Sequence, residues 1–553
     1  AFAFTTIPHA RQLNGQEQTQ AGTKPAASLV ASFDGLGVGF TGPQGTARLG
    51  NPSDNGLAVG PDHIVQVVNS RMAIFTKRGK KYNETGRVLY GPVNHNNVFK
   101  GFGGTCEARN NGDTVVRYDQ IAKRWLIVMP IFSRIPYRAD QPGPQKPQDG
   151  ARASVIGVAG QPGMAALLFQ PPYVPPDTTQ AGANRGRGAS AGGTGNAGRA
   201  GQPAEPQGVY SMCYAVSTSP DPLGSYYRYE FLRYYFPDYP RPAIWTDGYY
   251  SPSSTSDNRI SPTVATEKHA CVVERQKMLK GLPATEQCII LHNAGFLNNA
   301  DIDGTKLPPK GAPNIMIAAG GRQLDNVFND SVLNIYQFHV DWTDPSRTSV
   351  TGPVPIAVAP YRYLCDGQLK NCVTQPDTER GLDSQGDKIM SRLVYRRSGN
   401  TERIVAVHSI ATSTSRGGVR WYEFRVDPAS RRTSLFQLGT YLADSQYRWM
   451  ASPAIDKVGN IGIAYSFGGV PHYVGQRFTG RRPLDPLGLM TMTESVLVEG
   501  EGSQTSTLRW EDYTTTAIDP SDDCTVWYVG DYLKKGAASY STRIGAFKMP
   551  GCR

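Results

Sequence analysis

Three arginines stand at comparable places just ahead of strand-like runs: Arg392, Arg448 and Arg509, the last followed at once by Glu511, Asp512 and Tyr513. Guanidinium groups gathered from successive repeats can clamp a carboxylate or sulfate in bidentate fashion. Adjacent residues of an extended strand point to opposite faces, so Glu511 and Tyr513 are expected on one face and Asp512 on the other. The competing reading makes the Arg-Trp pairs packing units, each guanidinium lying on aromatic rings or bonding to carbonyls of a neighbouring repeat. The packing reading takes precedence. Asp519, Asp522 and Asp523 share one turn and offer oxygen ligands for calcium. Simple capping of that turn by Asp side chains is the alternative. No other cofactor is expected. The sequons at Asn83 and Asn329 are candidate glycosylation sites.

Familiar catalytic spacings are missing. The eight histidines are isolated, with no HExxH pair and no P-loop. Residues 188–192 match the G-x-S-x-G elbow in letters, but they lie in low-complexity sequence and not at a strand–turn–helix. A glycosidase needs two carboxylates at a set separation, which a sequence does not reveal.

The elements that must position these residues recur along the chain. NGLAVGPDHIVQVVNS (55–70), TVVRYDQIAKRWLIVM (114–129), ASPAIDKVGNIGIAYS (451–466) and TTTAIDPSDDCTVWYV (514–529) each read as two short strands joined by a tight Asp/Gly/Asn/Pro turn. Hairpins repeated at intervals of tens of residues mark a radial array. The fold expected is all-β, a single β-propeller with an N-terminal extension strand and Pro/Gly-rich insertions. Blades are placed near 50–105, 110–235, 241–297, 312–360, 386–440, 446–500 and 508–550. Seven is the best count, with six or eight still compatible. Residues 1–27 form an arm, residues 28–553 the ring, and 171–208 a low-complexity insertion.

The arm combines an alternating apolar strand (Phe2, Phe4, Ile7) with a polar stretch over residues 10–27 that reads as a linker. A tethered strand of this kind can add to a sheet edge of another copy. Such head-to-tail donation does not close and builds a filament. Closure of the chain's own ring by the arm is the alternative.

Composition narrows the class. Gly supplies 60 and Pro 41 of 553 residues, and only 19% are charged, which favours loop-rich β structure. The net charge of +11 is spread along the chain without a dense basic block, so nucleic acid is not an expected partner. No apolar run is long enough to span a membrane. The eight cysteines include no CxxC and no zinc spacing, which fits disulfides formed in an oxidising compartment. Proximity suggests Cys365–Cys372 first, then Cys271–Cys288 and Cys524–Cys552, leaving Cys106 for Cys213. Free buried thiols are the alternative. The opening AFAFTTIP reads as a mature terminus left by signal cleavage.

A family resemblance enters through LDSQGDKIMSRLVYRR (382–397), GVRWYEFRV (418–426), YRWMASPAIDKVGNIGIAYS (447–466), LRWEDYTTTAIDPSDDCTVWYVGDY (508–532) and STRIGAFKMPGC (541–552). Together with CYAVSTSPDPLGSYYRYEF (213–231) and FHVDWTDP (338–345), these stretches resemble a group of secreted bacterial β-propeller proteins of unassigned activity, with sialidase-like repeats. The resemblance implies fold and export, and no reaction. Sialidases are propellers with an arginine cluster, a Tyr nucleophile and an Asp acid. Their Asp-box pattern does not occur cleanly here. The expected function is therefore a secreted, extracellular or cell-surface structural protein that polymerises with itself and carries glycans. The alternative is a carbohydrate-active propeller, hydrolase or lectin, with Arg392, Arg448, Arg509, Glu511 and Tyr513 at its channel mouth.

Overall fold

The computed structural model describes residues 17–47, 50–136, 154–159, 208–233, 236–253, 267–292, 294–320 and 329–553. The chain is all-β, with only two short α-helices, Gly104–Ala108 and Arg275–Met278, among these residues. None of its helices there is long and apolar enough to cross a membrane.

Strand pairing runs in antiparallel four-strand meanders. The first is Gly56–Val59, His63–Val68, Arg71–Thr76 and Val88–Asn94. The second is Val115–Asp119, Arg124–Pro136, Gly208–Ser217 and Tyr226–Arg233; the third is Ala243–Ile244, Tyr249–Tyr250, Glu267–Val273 and Thr285–His292. The fourth is Phe296–Ile302, Asn314–Ala319, Asn329–His339 and Ser349–Tyr363; the fifth is Leu393–Ser398, Thr401–Ala411, Gly417–Val426 and Thr433–Tyr441. The sixth is Tyr447–Ile455, Ile461–Gly469, His472–Arg481 and Ser495–Val498. The seventh is Thr515–Ile518, Thr525–Tyr532, Ser541–Lys548 and, from the other end of the chain, Ser28–Asp34.

Some meanders are also hydrogen-bonded to each other. Ser154–Ala159 bridges the last strands of the second and third, making one nine-stranded sheet. Short pairings of Phe296–Ile302 with Leu393–Ser398 and of Ser349–Tyr363 with Thr401–Ala411 close a hydrogen-bonded circuit of six strands across the fourth and fifth. The first strands of the meanders lie side by side in chain order, and that of the seventh returns to that of the first. Leu57, Arg117, Ile244, Asp301, Arg392 and Ala517, from six of these first-strand regions, line one axial cavity of about 20 Å³.

The recurrent sequence phrase is thus the first hairpin of the first, second, sixth and seventh meanders. Its Asp makes the turn: Asp119 Oδ1 accepts from the N–H groups of Ile121 and Ala122, Asp456 Oδ1 from Val458 and Asn460, and Asp519 Oδ1 from Ser521. The runs are apolar on both faces because each sheet is packed between two others. Between the sixth and seventh, Phe478 and Phe547 stack at 4.5 Å. Between the seventh and first, Trp527, Val529 and Ile544 pack on Leu57, Ile64 and Phe75.

Three boundaries differ from expectation. Phe296–Ile302 opens the fourth meander, ahead of the expected start at 312. Ser28–Asp34 does not begin the first sheet but completes the seventh. The stretch read as a free linker is docked over residues 17–27. Glu17–Gln18 runs parallel to Thr440 and Tyr441, and the Gln18 side chain exchanges two hydrogen bonds of 2.8 Å with the Met490 backbone. Lys24 pairs with the Thr491 and Thr493 backbone and forms an ion pair with Asp485. The stretch carries no large apolar side chain because most of its contacts are made by backbone and amide groups, with only Ala27 entering a hydrophobic cluster. Gly22 allows the approach: an added Cβ would fall 2.3 Å from the Thr491 carbonyl carbon.

Four disulfides form, Cys106–Cys213, Cys271–Cys288, Cys365–Cys372 and Cys524–Cys552, in the pairs that proximity suggested. A chain lacking residues 1–16 should unfold at the same temperature as the intact chain within about 2 °C. A chain lacking residues 1–34 should unfold many degrees lower and aggregate, because the Ser541–Lys548 edge is bared. Scanning calorimetry checks both. Equal stability of the shorter chain would contradict the pairing.

Candidate functional site

The turns that lead into the first strands share a backbone feature. Non-glycine residues there adopt left-handed φ: Asp54 (51°), Asp113 (60°), Tyr239 (55°), Gln385 (44°), Met450 (50°), Glu511 (55°) and Asp512 (65°). This region is unfavourable for residues with a Cβ, and such strain concentrates at functional sites. Here it recurs ahead of five of the seven first strands, while Met450 sits inside the sixth, at the break in its pairing between Trp449 and Ser452.

Two consecutive left-handed residues also break the expected alternation at 511–513. Glu511 and Tyr513 do not share a face. Glu511 turns into the sixth–seventh interface, accepting from Asp531 N (2.6 Å), Gln476 Nε2 (3.1 Å) and Ser466 Oγ (3.0 Å). Asp512 pairs with Arg509 and accepts from Gln385 Nε2 at 2.9 Å. Tyr513 faces Tyr239, 4.9 Å away between ring centroids, and the Asp54, Asp113 and Asp512 carboxylates.

The axial mouth is therefore rich in acid. Asp54, Asp113, Asp238, Asp383, Asp387 and Asp512 meet there, with Arg509 and Lys388 as cations. Asp113 and Asp238 are half-buried, and the Asp238 carboxylate bears on that of Asp113. Arg509, 21% exposed, reaches Asp512 and, at 3.3 Å, Asp383. Burial, then the charges of Asp113 and Asp512, holds the Asp54 carboxyl well above the usual range. Burial, then Asp238 and Asp512, does the same to Asp113. Burial pushes Asp383 up to about 8. Beneath the mouth, Arg241 lies 4.3 Å over the Tyr239 ring and 3.9 Å over Phe296.

Deeper on the axis, buried ion pairs fill the centre. Arg392 donates to Asp301 (2.6 Å) and Asp303 (2.7 Å), and Arg117 comes within 3.3 Å of Asp301. Burial opposes the charge on Arg392, but the two aspartates outweigh it and raise its pKa. The same burial, with Arg392 beside it, brings Arg117 down to about 10. Arg448 lies elsewhere, held by Asp444 and Glu494 and stacked over Phe467 at 5.0 Å. The three arginines thus belong to three separate ion-pair sets, each already satisfied by carboxylates of this chain.

The other expected sites are dispersed. Asp519 receives Lys77, Asp522 receives Lys548 and Asp523 receives Arg396, so three cations from three sheets take the three carboxylates of that turn. Among the described residues, the one group of three potential metal ligands within 4.8 Å is Cys271, Glu286 and Cys288, and its sulfurs are joined in a disulfide. Asn83 lies exposed on a loop; Asn329 opens the strand Asn329–His339. Phe2, Phe4 and Ile7 lie outside the described residues. Sequence reasoning missed the mouth: Asp54, Asp113, Asp238 and Asp383 are single aspartates in unremarkable turns, and only closure of the ring gathers them.

Comparison with known proteins adds little. No protein-family model matches the chain, and no curated protein does. Among solved structures, the chain is similar to a protein of unknown function from Dyadobacter fermentans DSM 18053, at 11% identity and a TM-score of 0.25, over 56% of this chain and 94% of that one. A likeness that slight carries no argument about fold or function.

Arg392→Met should destabilise the protein by about 3–5 kcal/mol, because Asp301 and Asp303 are left buried and unpaired. Denaturant unfolding that shows no loss would free Arg392 for ligand binding. A second expectation concerns pH. Burial raises Asp531 from 3.8 to about 7. Its stabilising contribution is complete below pH 4 and disappears as pH rises through 7. The melting temperature should fall from pH 5 to pH 8. Asp531→Asn keeps the acceptor for Asn55 Nδ2, 2.6 Å away, and should flatten that fall. An unchanged slope would contradict the assignment.

Proposed function

We propose that each meander is a blade of a single seven-bladed β-propeller, and that the molecule is a secreted structural subunit that assembles with copies of itself outside the cell. Seven four-strand meanders and a closed succession of first strands support the blade count. Four disulfides fit an oxidising compartment. An axis closed by ion pairs, with about 20 Å³ of space, suits a rigid module better than a substrate channel.

The observation that carries the assembly is where the arm meets the ring. Glu17–Gln18 is fastened to the outermost strand of the fifth meander, so the sixteen preceding residues start from the rim. At ~3.3 Å per residue they reach up to ~50 Å, far enough for a neighbouring copy. Phe2 and Phe4, two residues apart, would share one face of an extended strand, with Ile7 on the other, a pattern suited to strand addition. Exposed Asn83 is the better placed of the two sequons for a glycan.

One observation favours carbohydrate binding as the second reading. A groove of about 660 Å³, ligand-sized, opens between the hairpin 373–382 and the Val470–Pro471 turn, lined by Asn371, Asp377, Glu379 and Tyr473. Electron microscopy of the purified secreted protein decides between them. Filaments that vanish on deletion of residues 1–9, with the ring still folded, are expected. Single rings under all conditions, together with glycan-array binding abolished by Tyr473→Ala, would favour the second.

A further inference from the structure

Each meander ends in an outer strand whose far edge could take up another strand, and the ring treats these edges unequally. Gln44 closes that of the first by bonding to both backbone groups of Gly91. Ser154–Ala159 fills the edges of the second and third. Ser349–Tyr363, in the fourth, pairs at one end with Thr401–Ala411 and carries Pro353, Pro355 and Pro360, each of which removes a donor. Glu17–Gln18 takes the end of the fifth, where Gly488 also lies against Gly439. The sixth has an outer strand of only four residues, Ser495–Val498, and the Ala27 carbonyl accepts from Ser495 across it. The seventh has none of these devices. Ser28–Asp34 pairs with Ser541–Lys548 on one side, and among the described residues no strand pairs with its other edge. Its first six residues, SLVASF, include no charge and no proline. Leu29 is 45% exposed and Val30 54%, with Ser28 and Ser32 exposed beside them. Val496, 45% exposed, extends the apolar patch onto the adjoining sixth meander. An apolar edge left bare in this way is a template for a strand from another chain.

We propose that the free edge of Ser28–Asp34 is the acceptor for residues 1–7 of a neighbouring copy. This acceptor completes the self-assembly proposed above and rests on it. The two segments match in length and chemistry. Residues 1–7, AFAFTTI, contain no charged side chain and no proline, and Pro8 ends the run. The strand they would join is also seven residues long, with its one charge at the end, on Asp34. Addition would therefore bury apolar side chains beside Leu29 and Val30 and complete a backbone ladder without stripping water from a charge. The course of the chain favours a neighbour over its own ring. From Ser28 on the seventh meander it passes Lys24 on the sixth and reaches Glu17 on the fifth, so at Glu17 it points away from the free edge. To return within one molecule, residues 1–16 would have to reverse and retrace two meanders. A neighbour's edge needs no reversal. Donor and acceptor then lie on different parts of the rim, each copy gives one strand and takes one, and the contact propagates without closing.

The test mixes two full-length variants. One keeps the donor and loses the acceptor, through Leu29→Lys with Val30→Lys; the other keeps the acceptor and loses the donor, through Phe2→Asp with Phe4→Asp. All four side chains can be changed without touching the paired edge of Ser28–Asp34, and an unchanged melting temperature checks each ring; Ser32→Lys replaces the first pair if that ring is destabilised. Each variant alone should be monomeric by light scattering, and the mixture should give one-to-one dimers that do not grow. A fluorescent peptide of residues 1–9 should bind the Phe2→Asp, Phe4→Asp chain, one per chain by anisotropy, and should not bind the Leu29→Lys, Val30→Lys chain. Filaments that persist in the Leu29→Lys, Val30→Lys chain overturn this acceptor while leaving self-assembly standing. Dimers of the Phe2→Asp, Phe4→Asp chain alone overturn it by showing that two such edges pair with each other. Monomers in the mixture overturn it by leaving the strand within its own ring. If the wild-type chain stays single, the self-assembly reading fails, and the peptide still decides the edge: binding to the Phe2→Asp, Phe4→Asp chain alone supports it, and binding to neither or to both overturns it.

Discussion

A four-stranded sheet at the end of this chain can form only if its last strand comes from the beginning. The C-terminal residues supply three strands of the seventh meander, and Cys552 is tied back to Cys524 one residue ahead of the second of them. Ser28–Asp34 supplies the fourth. That pairing lets the first strands succeed one another without a gap, and from it follow the filled axis, the convergence of the lead-in turns and the route of the N-terminal residues along the rim. Residues 17–27 reinforce it by crossing the sixth and fifth meanders on their way out.

Closing a ring brings charged side chains from distant sequence positions into a space that excludes water. Unpaired charges there would be prohibitive, and the centre answers with Arg117, Arg392, Asp301 and Asp303 in one interlocked set. The mouth is arranged otherwise. Its carboxylates exceed its cations, its backbone is strained in the left-handed region, and some of its polar atoms are unsatisfied. A molecule selected only for rigidity would gain by neutralising that cluster.

What the sequence made legible was local. The four repeated hairpins could be read because an apolar run, a capping Asp and a second apolar run are contiguous. Close cysteines such as Cys365 and Cys372 could be paired for the same reason. Phe296–Ile302 was hidden because Asn298, Asn299 and Asp301 interrupt its apolar pattern; Asn298 and Asp301 bond to Arg241 and Arg392 from neighbouring meanders, and Asn299 to Asn314 on the adjacent strand. Ser28–Asp34 was hidden because its partner lies some five hundred residues away. The arginines were read as an anion clamp or as packing units on rings and carbonyls; their carboxylate partners, Asp301, Asp303, Asp383 and Glu494, come from other turns and sheets and no spacing announces them. No spacing rule connects a single Asp in one turn to its counterparts around a ring.

The account rests on Ser28–Asp34 pairing with Ser541–Lys548 of the same chain, and a cross-link tests this directly. Ser28 lies opposite Lys548 on adjacent strands, and the eight native cysteines are all paired. In a chain carrying Ser28→Cys and Lys548→Cys, non-reducing electrophoresis and peptide mapping should find the new disulfide within monomers. A 28–548 link confined to dimers and larger species would mean that the strand is donated between molecules, and closure of the ring within one chain would be contradicted.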